Sequence, residues 1–244
     1  MTHNTKIQSD AVLFDKDGTL IDFDAFWVGL SQAALQEILK QLGQSDSLVD
    51  ALLESFGVHN SVADPEGVLC KGTYREMAEI FADILGTRGC EVSADALEKL
   101  VLDAYNSNAH KGDVKPTCQN LRTVLETLKN RGKKIALVTT DNQEISTLCL
   151  NKLGVLDLFD YLYTDDGTFP AKPNPQCAIA FCNAEGLDAN RVVMVGDTMT
   201  DIAFARNAGL IAIGVANQEK TRALLTPCAD AMIGDLWELL EILE

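Results

Sequence analysis

The chain has 244 residues, of which 47% are hydrophobic and 23% charged, a composition typical of a soluble globular protein. Its formal net charge of −16 argues against nucleic acid or an anionic membrane as a partner. No apolar stretch approaches the roughly 20 residues of a membrane-spanning helix. The polar first ten residues do not resemble a secretory signal, so we expect a cytoplasmic protein.

Residues 1–10 predict a disordered start or a short lead-in. The next four residues, Ala-Val-Leu-Phe at 11–14, run directly into Asp15, Asp17 and Gly18. A short apolar run that ends in a turn signal is typical of a buried strand in a parallel sheet. Ligands of open α/β sheets bind beyond the carboxyl ends of the strands. The two carboxylates therefore lie where a catalytic site is expected.

A helical block follows the first strand. Apolar residues at helical spacing, together with glycine stops, predict helices over about 25–43, 46–56, 74–85 and 94–106. The segment 59–72 is rich in turn residues, and no segment between 25 and 110 predicts a strand. This block interrupts an otherwise alternating chain and indicates an inserted all-α domain.

From residue 116 onward, helices and strands alternate. Strands are predicted over 134–138, 161–163, 192–195, 211–215 and 231–233, with helices between the first four of them and a last helix from about residue 236. Alternation of this kind predicts a Rossmann-like parallel sheet with helices on both faces, an α/β fold. Because parallel strands end at the same edge, Asp15, Thr139 and Asp197 are expected to converge in one crevice.

Seven cysteines are scattered through apolar and helical contexts. Their odd number and the lack of a Cys-x-x-Cys pair argue against a disulfide framework or a thiolate zinc site. We expect reduced cysteines.

The converging residue types suit phosphoryl transfer. An aspartate at a strand end, such as Asp15, can act as a nucleophile, and Asp17 can serve as general acid and then base. With Asp197 as a third carboxylate, the site needs a cation, and an all-oxygen site suits Mg²⁺. Lys172 and the hydroxyl of Thr139 would bind phosphoryl oxygens.

Four motifs together resemble the haloacid dehalogenase superfamily, in its phosphatase branch with a helical cap. They are Asp15–Leu20 (DKDGTL), Val138–Thr140 (VTT), Lys172–Pro175 (KPNP) and Gly196–Asp201 (GDTMTD), in family order over nearly the whole chain. The resemblance implies an α/β core formed by residues 1–24 and 112–244. The inserted all-α cap domain would comprise residues 25–111.

The resemblance also implies roles for the motif residues. Asp15 attacks phosphorus, and Asp17 protonates the leaving oxygen and later activates water. Asp15, the backbone carbonyl of Asp17, and Asp197 hold Mg²⁺. Thr139 and Lys172 bind the phosphoryl group.

Two motif positions leave alternatives open. Asp201 matches the last acidic position of the family, which ligates the metal or orients its waters, but Thr198–Asp201 also resembles a helix capping box. Many relatives have Asn where this chain has Thr140. That departure weakens a side-chain role for Thr140 in phosphate binding and leaves a backbone N–H contact.

By the logic of the family, the cap selects the substrate by closing over the crevice and contacting the leaving group. Candidate contacts lie in its turn region and at its helix starts, namely Lys71, Thr73, Tyr74 and Arg75.

We therefore predict a Mg²⁺-dependent phosphatase for a small phosphorylated metabolite, phosphoglycolate-like or a sugar phosphate, acting through an aspartyl phosphate. A dehalogenase or phosphonate hydrolase is disfavoured because those branches lack the aspartate found here at Asp17. The alternatives are a phosphomutase resembling β-phosphoglucomutase and a catalytically silent binding module on the same fold. The expected partner is a small phosphate ester, and the choice between monomer and homodimer stays open.

Overall fold

The computed structural model describes residues 6–244, so the prediction for residues 1–5 lies outside the described residues. The chain forms two compact units, one ending at Asp22 and resuming at Lys115, the other spanning Phe23–Val114. The predicted boundaries differ from these by two residues at the entry to the inserted unit and by three at its exit. Within the described part, no helix combines the length and apolarity needed to cross a membrane.

The described residues form eight strands and eleven α-helices, numbered here in chain order. Strands β1 to β8 are Ala11–Phe14, Val58–His59, Val62–Ala63, Lys134–Val138, Tyr161–Tyr163, Val192–Gly196, Ile211–Val215 and Ala231–Ile233. Helices α1 to α11 are Gly29–Gln41, Val49–Ser55, Val68–Lys71, Tyr74–Gly86, Ala94–Asn108, Leu121–Asn130, Gln143–Lys152, Gln176–Glu185, Met199–Ala208, Glu219–Leu225 and Leu239–Ile242.

Six strands form one parallel sheet in the order β5-β4-β1-β6-β7-β8. Strand β1 lies at the centre because its four apolar residues are fully buried, as expected for a strand covered on both faces. It pairs in register with β4 on one side and with β6 on the other. The predicted parallel α/β core is therefore confirmed.

Helices pack on the sheet through large apolar side chains. Helices α8 and α9 contribute Phe181 and Phe204 to a core that includes Leu13 of β1 and Met194 of β6. Helix α6 packs on β4. The segment before β1 is held by residues near the end of the chain, since the Ile7 N–H donates to the Ile242 carbonyl at 2.7 Å.

The inserted unit is mainly helical, as predicted, and contains one short hairpin that the sequence did not predict. Strands β2 and β3 form an antiparallel hairpin inside the predicted turn-rich segment. Its two turn residues, Asn60 and Ser61, have φ of 52° and 63°, the backbone that tight hairpins require. The Asn-Ser pair lacks the glycine that usually marks such a turn, and the flanking strands are only two residues long.

Two further local predictions need correction. The first helical segment begins as a π-helix over Asp24–Val28 before α1 starts. Helix α10, Glu219–Leu225, was not predicted from the sequence, because it is short and its apolar positions are few.

Gly112 lies where the chain leaves the inserted unit, against the buried ring of Phe26. A Cβ at this position would lie 2.4 Å from Phe26 Cδ2 and 3.1 Å from the Phe26 carbonyl oxygen. The absence of a side chain therefore allows the entering and leaving segments of this unit to pack closely.

We expect Gly112→Ala to lower the free energy of unfolding by about 1–3 kcal/mol, the usual effect of overpacking. The matched control is Gly29→Ala at the exposed first position of helix α1, where an added Cβ meets nothing within 4 Å. It should be neutral or stabilise the protein by up to about 1 kcal/mol. Urea unfolding followed by circular dichroism measures both, and equal effects of the two changes would contradict the packing argument.

Candidate active site

Polar side chains follow three neighbouring strands at the carboxyl edge of the sheet. Asp15 follows β1, Thr139 follows β4 and Asp197 follows β6. Backbone pairing continues past the strand ends, because the Asp15 N–H donates to the Val195 carbonyl at 2.9 Å. Sheet topology thus brings together residues that are up to 182 positions apart, as the alternating pattern predicted.

Three carboxylates form a compact cluster at this edge. One oxygen from each of Asp15, Asp197 and Asp201 lies within 4.8 Å of the other two. Asp15 is 7% exposed and Asp201 is 1% exposed, so little solvent screens their repulsion. Such a cluster is stable only with cations close by.

Two glycines leave room for these carboxylates. Gly18 has φ of +80°, and a Cβ there would lie 2.1 Å from Asp197 Oδ2. A Cβ on Gly196 would lie 2.3 Å from Asp201 Cγ. The glycines of the first and fourth motifs therefore permit a close approach of backbone to carboxylate as well as a turn.

Lys172 supplies one of the cations. Its Nζ lies 2.5 Å from Asp15 Oδ1 and 2.7 Å from Asp201 Oδ1. Burial by itself lowers the pKa of Lys172, but the charges of Asp15 and Asp201 more than offset this effect and hold its pKa above the usual range. Lys172 is therefore a permanently charged partner for the cluster.

One lysine does not neutralise three carboxylates. Burial raises the pKa of Asp15 to about 7, against the opposing effect of Lys172. Burial, followed by the charge of Asp15, raises the pKa of Asp197 well above its ordinary value. Asp197 receives a hydrogen bond from Thr19 Oγ1 at 3.2 Å. These oxygen donors and their excess negative charge fit a hard divalent cation such as Mg²⁺.

Asp201 has structural contacts that the sequence also anticipated. Its Oδ2 accepts hydrogen bonds from Thr198 N–H at 3.1 Å and from Thr198 Oγ1 at 2.6 Å, in a capping box that begins helix α9. Its Oδ1 faces Lys172. A carboxylate offers about four acceptor positions, and the contacts with Thr198 and Lys172 engage three of those on Asp201.

The Asp17 carboxylate lies outside the three-carboxylate cluster. It contacts the ammonium of Lys16 at 2.8 Å, and Lys16 also lies 2.6 Å from Asp141 Oδ2. Neither Lys16 nor Asp141 was predicted from the sequence to belong to the site. A lysine between two motif aspartates at the end of a buried strand was the available signal, because such a lysine needs a counter-ion.

Thr139 and Thr140 differ in their surroundings. Thr139 is buried, and its Oγ1 accepts a hydrogen bond from the Asp141 N–H at 3.2 Å. Thr139 and Lys172 line the same small pocket, together with Tyr163. Thr140 is exposed. The structure thus brings Thr139 and Lys172 together, and phosphoryl binding by this pair stays a prediction.

The candidate substrate residues of the inserted unit have partners within that unit. Lys71 pairs with Glu66 at 2.5 Å on the surface. The Tyr74 ring packs edge-on against Tyr105, with centroids 5.5 Å apart.

The Arg75 guanidinium contacts Glu79 on its own helix, and its contacts with Asp95 and Glu98 tie helix α4 to α5. Thr73 forms a capping box with Glu76. A substrate role for Lys71, Tyr74 and Arg75 stays a prediction.

Comparison with known proteins identifies the family. The family model of the haloacid dehalogenase-like hydrolases matches residues 9–209. The chain therefore belongs to the haloacid dehalogenase-like hydrolases, and the family predicted from the four motifs is confirmed.

Individual relatives support this classification along most of the chain. A phosphoglycolate phosphatase of Neisseria gonorrhoeae is 28% identical over 239 residues, 96% of this chain and 93% of the relative. The pyrophosphatase PpaX of Halalkalibacterium halodurans is 24% identical over 207 residues, 84% of this chain and 82% of the relative. Among solved structures, YfnB of Bacillus subtilis, bound to magnesium, has a TM-score of 0.66 at 20% identity. That match covers 97% of this chain and 99% of YfnB.

Gly18→Ala tests whether the close approach to Asp197 matters for metal binding. We expect the change to lower Mg²⁺ affinity at least about 10-fold, because the added methyl displaces the Asp197 carboxylate and disturbs the ligand set. Isothermal titration calorimetry with MgCl₂ measures this affinity.

Gly132→Ala is the matched control. Gly132 has φ of +79°, but a Cβ there meets nothing within 4 Å. Both variants carry left-handed backbone strain of about 1–2 kcal/mol, but only the first disturbs a carboxylate. Equal Mg²⁺ affinity in the two variants would rule out a metal-site role for Gly18.

Proposed function

We propose that the protein is a Mg²⁺-dependent phosphatase that hydrolyses a small phosphate ester through an aspartyl phosphate on Asp15. The observation that carries this proposal is the pairing of buried Asp15 with Lys172 beside Asp197 and Asp201. A nucleophilic carboxylate, a lysine for phosphoryl oxygens and an oxygen-lined cation site are what phosphoryl transfer requires.

Three groups of this chain would hold the metal: the carboxylates of Asp15 and Asp197 and the backbone carbonyl of Asp17. Bound Mg²⁺ supplies charge neutralisation for the carboxylates and the phosphoryl oxygens. The magnesium bound to YfnB supports this choice of ion in a protein of the same fold.

In the first half-reaction, a carboxylate oxygen of Asp15 attacks phosphorus and the bond from phosphorus to the leaving oxygen breaks. Asp17, protonated at this stage, gives its proton to the leaving oxygen, which departs as a neutral alcohol. Lys172 and Thr139 hold the phosphoryl oxygens, and Lys172 is already within 2.5 Å of Asp15. The exposed Thr140 offers its backbone N–H to the same group.

In the second half-reaction, Asp17, now a carboxylate, takes a proton from a water molecule. That water attacks the phosphorus of the aspartyl phosphate, the bond from phosphorus to Asp15 breaks, and inorganic phosphate leaves. The cycle restores Asp15 as a carboxylate and Asp17 as an acid. Two aspartates two residues apart thus perform two different chemical tasks.

The substrate is proposed at the level of chemical class. The named relatives include a phosphoglycolate phosphatase and a pyrophosphatase, whose names both indicate small phosphorylated anions. With a net charge of −16, attraction of such an anion depends on local cations, foremost Lys172 and the bound metal. We propose a small phosphorylated metabolite, with phosphoglycolate and sugar phosphates as the first compounds to test.

Replacement of the nucleophile tests the reaction class. We expect Asp15→Asn to reduce phosphate release at least about 10³-fold, on the scale seen when a covalent nucleophile is removed. A panel of phosphoglycolate, sugar phosphates, nucleoside monophosphates and pyrophosphate, assayed with Mg²⁺ and with EDTA, measures release and ranks substrates.

The control for this experiment is Glu126→Gln, an exposed carboxylate on helix α6 paired with Arg122. It should retain activity within about 2-fold, as expected for a surface ion pair. Absence of phosphate release by the folded wild-type protein on every ester would refute the phosphatase proposal. Isomerised product without net phosphate release would instead support the phosphomutase.

A second set of variants distinguishes a residue that ligates the metal from a residue that orients the site. Because three of the four acceptor positions of Asp201 are engaged, we propose that Asp201 orients the site and that Asp197 ligates the metal. We expect Asp197→Asn to lower Mg²⁺ affinity more than about 100-fold. Asp201→Asn should lower it by about 10–100-fold, the range for outer-sphere partners.

Titration calorimetry on the phosphate-free protein compares these affinities. Thr198→Ala serves as the control, because it breaks the same capping box at a cost of about 1 kcal/mol without removing a carboxylate. Equal losses for Asp197→Asn and Asp201→Asn would show that both residues are ligands.

A further inference from the structure

A second lysine is buried at the site, and the proposed reaction does not use it. Lys16 is 0% exposed and lies between Asp15 and Asp17 in the chain. Its ammonium is 2.8 Å from both carboxylate oxygens of Asp17 and 2.6 Å from Asp141 Oδ2. Lys16 follows β1 and Asp141 follows the neighbouring β4, so the contact joins two adjacent strand ends.

Burial of an ammonium group is energetically costly, yet the protein buries the ammonium of Lys16. Moving a lysine charge out of water costs several kcal/mol unless carboxylates surround it. The carboxylates of Asp17 and Asp141 meet this requirement, because each has an oxygen within 2.8 Å of the Lys16 ammonium. An apolar residue would fill the same space without this requirement, so the charge itself needs an explanation.

The turn around Lys16 is fixed by its backbone as well. The Lys16 carbonyl accepts hydrogen bonds from the Leu20 N–H at 2.8 Å and from the Ile21 N–H at 3.0 Å. The Gly18 N–H donates to the Ile21 carbonyl at 2.8 Å, so the backbone is anchored on both sides of Asp17. Among the contacts of the Asp17 side chain, the Lys16 ammonium touches both of its oxygens.

We propose that Lys16, anchored by Asp141, is a positioning residue that holds the Asp17 carboxyl where it can reach the leaving-group oxygen. This inference rests on the proposed function, in which Asp17 is the general acid. A general acid must lie within hydrogen-bond distance of the atom that it protonates, and a misplacement of 1 Å can cost about 100-fold in rate.

Asp141 has a separate part in this arrangement. During the reaction Asp17 alternates between acid and carboxylate. A lysine paired with Asp17 alone would lose its only counter-ion whenever Asp17 carried the proton. Because Asp141 remains in contact at 2.6 Å, the buried ammonium stays paired through both half-reactions.

Substrates with different leaving groups distinguish a positioning role of Lys16 from a purely structural one. Esters of aliphatic alcohols need a proton on the leaving oxygen, whereas p-nitrophenyl phosphate has a leaving group stable as an anion and needs little help from an acid. The value of kcat/KM includes only steps up to the first phosphoryl transfer. The ratio of kcat/KM for an alkyl ester to that for p-nitrophenyl phosphate therefore reports how well Asp17 acts as acid.

We expect Lys16→Met and Asp141→Asn each to lower this ratio at least 10-fold. Asp17→Asn should lower it further, and Lys16→Met added to Asp17→Asn should cause no additional decrease, because both changes remove the same proton transfer. Since Lys16→Met leaves Asp141 without its counter-ion, the double variant Lys16→Met/Asp141→Leu, which removes both charges, is measured beside it.

Lys133→Met is the matched control. Lys133 is also buried, at 4% exposure, and its ammonium donates to the carbonyls of Ser9 at 2.8 Å and Glu244 at 3.1 Å, before β4 rather than after it. This change should reduce stability and leave the ratio unchanged.

Three outcomes are distinguishable. A ratio that falls in the Lys16 and Asp141 variants but not in Lys133→Met supports the proposal. An equal loss of kcat/KM on both esters, with the wild-type ratio retained in the folded double variant, would overturn the proposal. Lys16 would then have a purely structural role. Lack of phosphate release from either ester by the wild-type protein would refute the proposed function itself, and with it this inference.

Discussion

The site depends on the neutralisation of buried like charges at the carboxyl edge of the sheet. Asp15 and Asp201 are almost fully buried, and their repulsion in a poorly screened environment would be several kcal/mol without cations. The Lys172 ammonium contacts both carboxylates and neutralises part of their charge. The remaining negative charge favours a divalent cation, so the same charge repulsion that destabilises the fold makes this edge of the sheet suited to binding a metal ion.

Packing at this edge is as constrained as its charge. Gly18 and Gly196 bring backbone within contact of Asp197 and Asp201, where a Cβ would overlap a carboxylate. Strand β1 supplies the fixed reference for this packing, because it is buried and hydrogen-bonded on both sides. The first motif therefore combines three physical requirements: a rigid strand, a carboxylate at its end and a turn without side-chain bulk.

The sequence predicted the parallel sheet and the convergence of Asp15, Thr139 and Asp197, because buried strands have a local apolar signature and parallel strands end at one edge. It did not predict the contact between Lys16 and Asp141, which are 125 positions apart and become neighbours only through the pairing of β1 with β4. The β2–β3 hairpin was missed for a different reason. Its strands are too short for alternation to be recognised, and Asn60-Ser61 is an uncommon tight turn.

The two lysines divide the carboxylates of the site into two groups with different chemistry. Lys172 is paired with Asp15 and Asp201, beside the oxygens that suit a metal and a phosphoryl group. Lys16 is paired with Asp17 and Asp141, which are not part of the three-carboxylate cluster. Two aspartates separated by one residue thus have different surroundings, and such a difference in environment is the physical basis for the different roles proposed for them. Lys16, which lies between the two aspartates in the first motif, contributes to this difference through its contacts with Asp17 and Asp141.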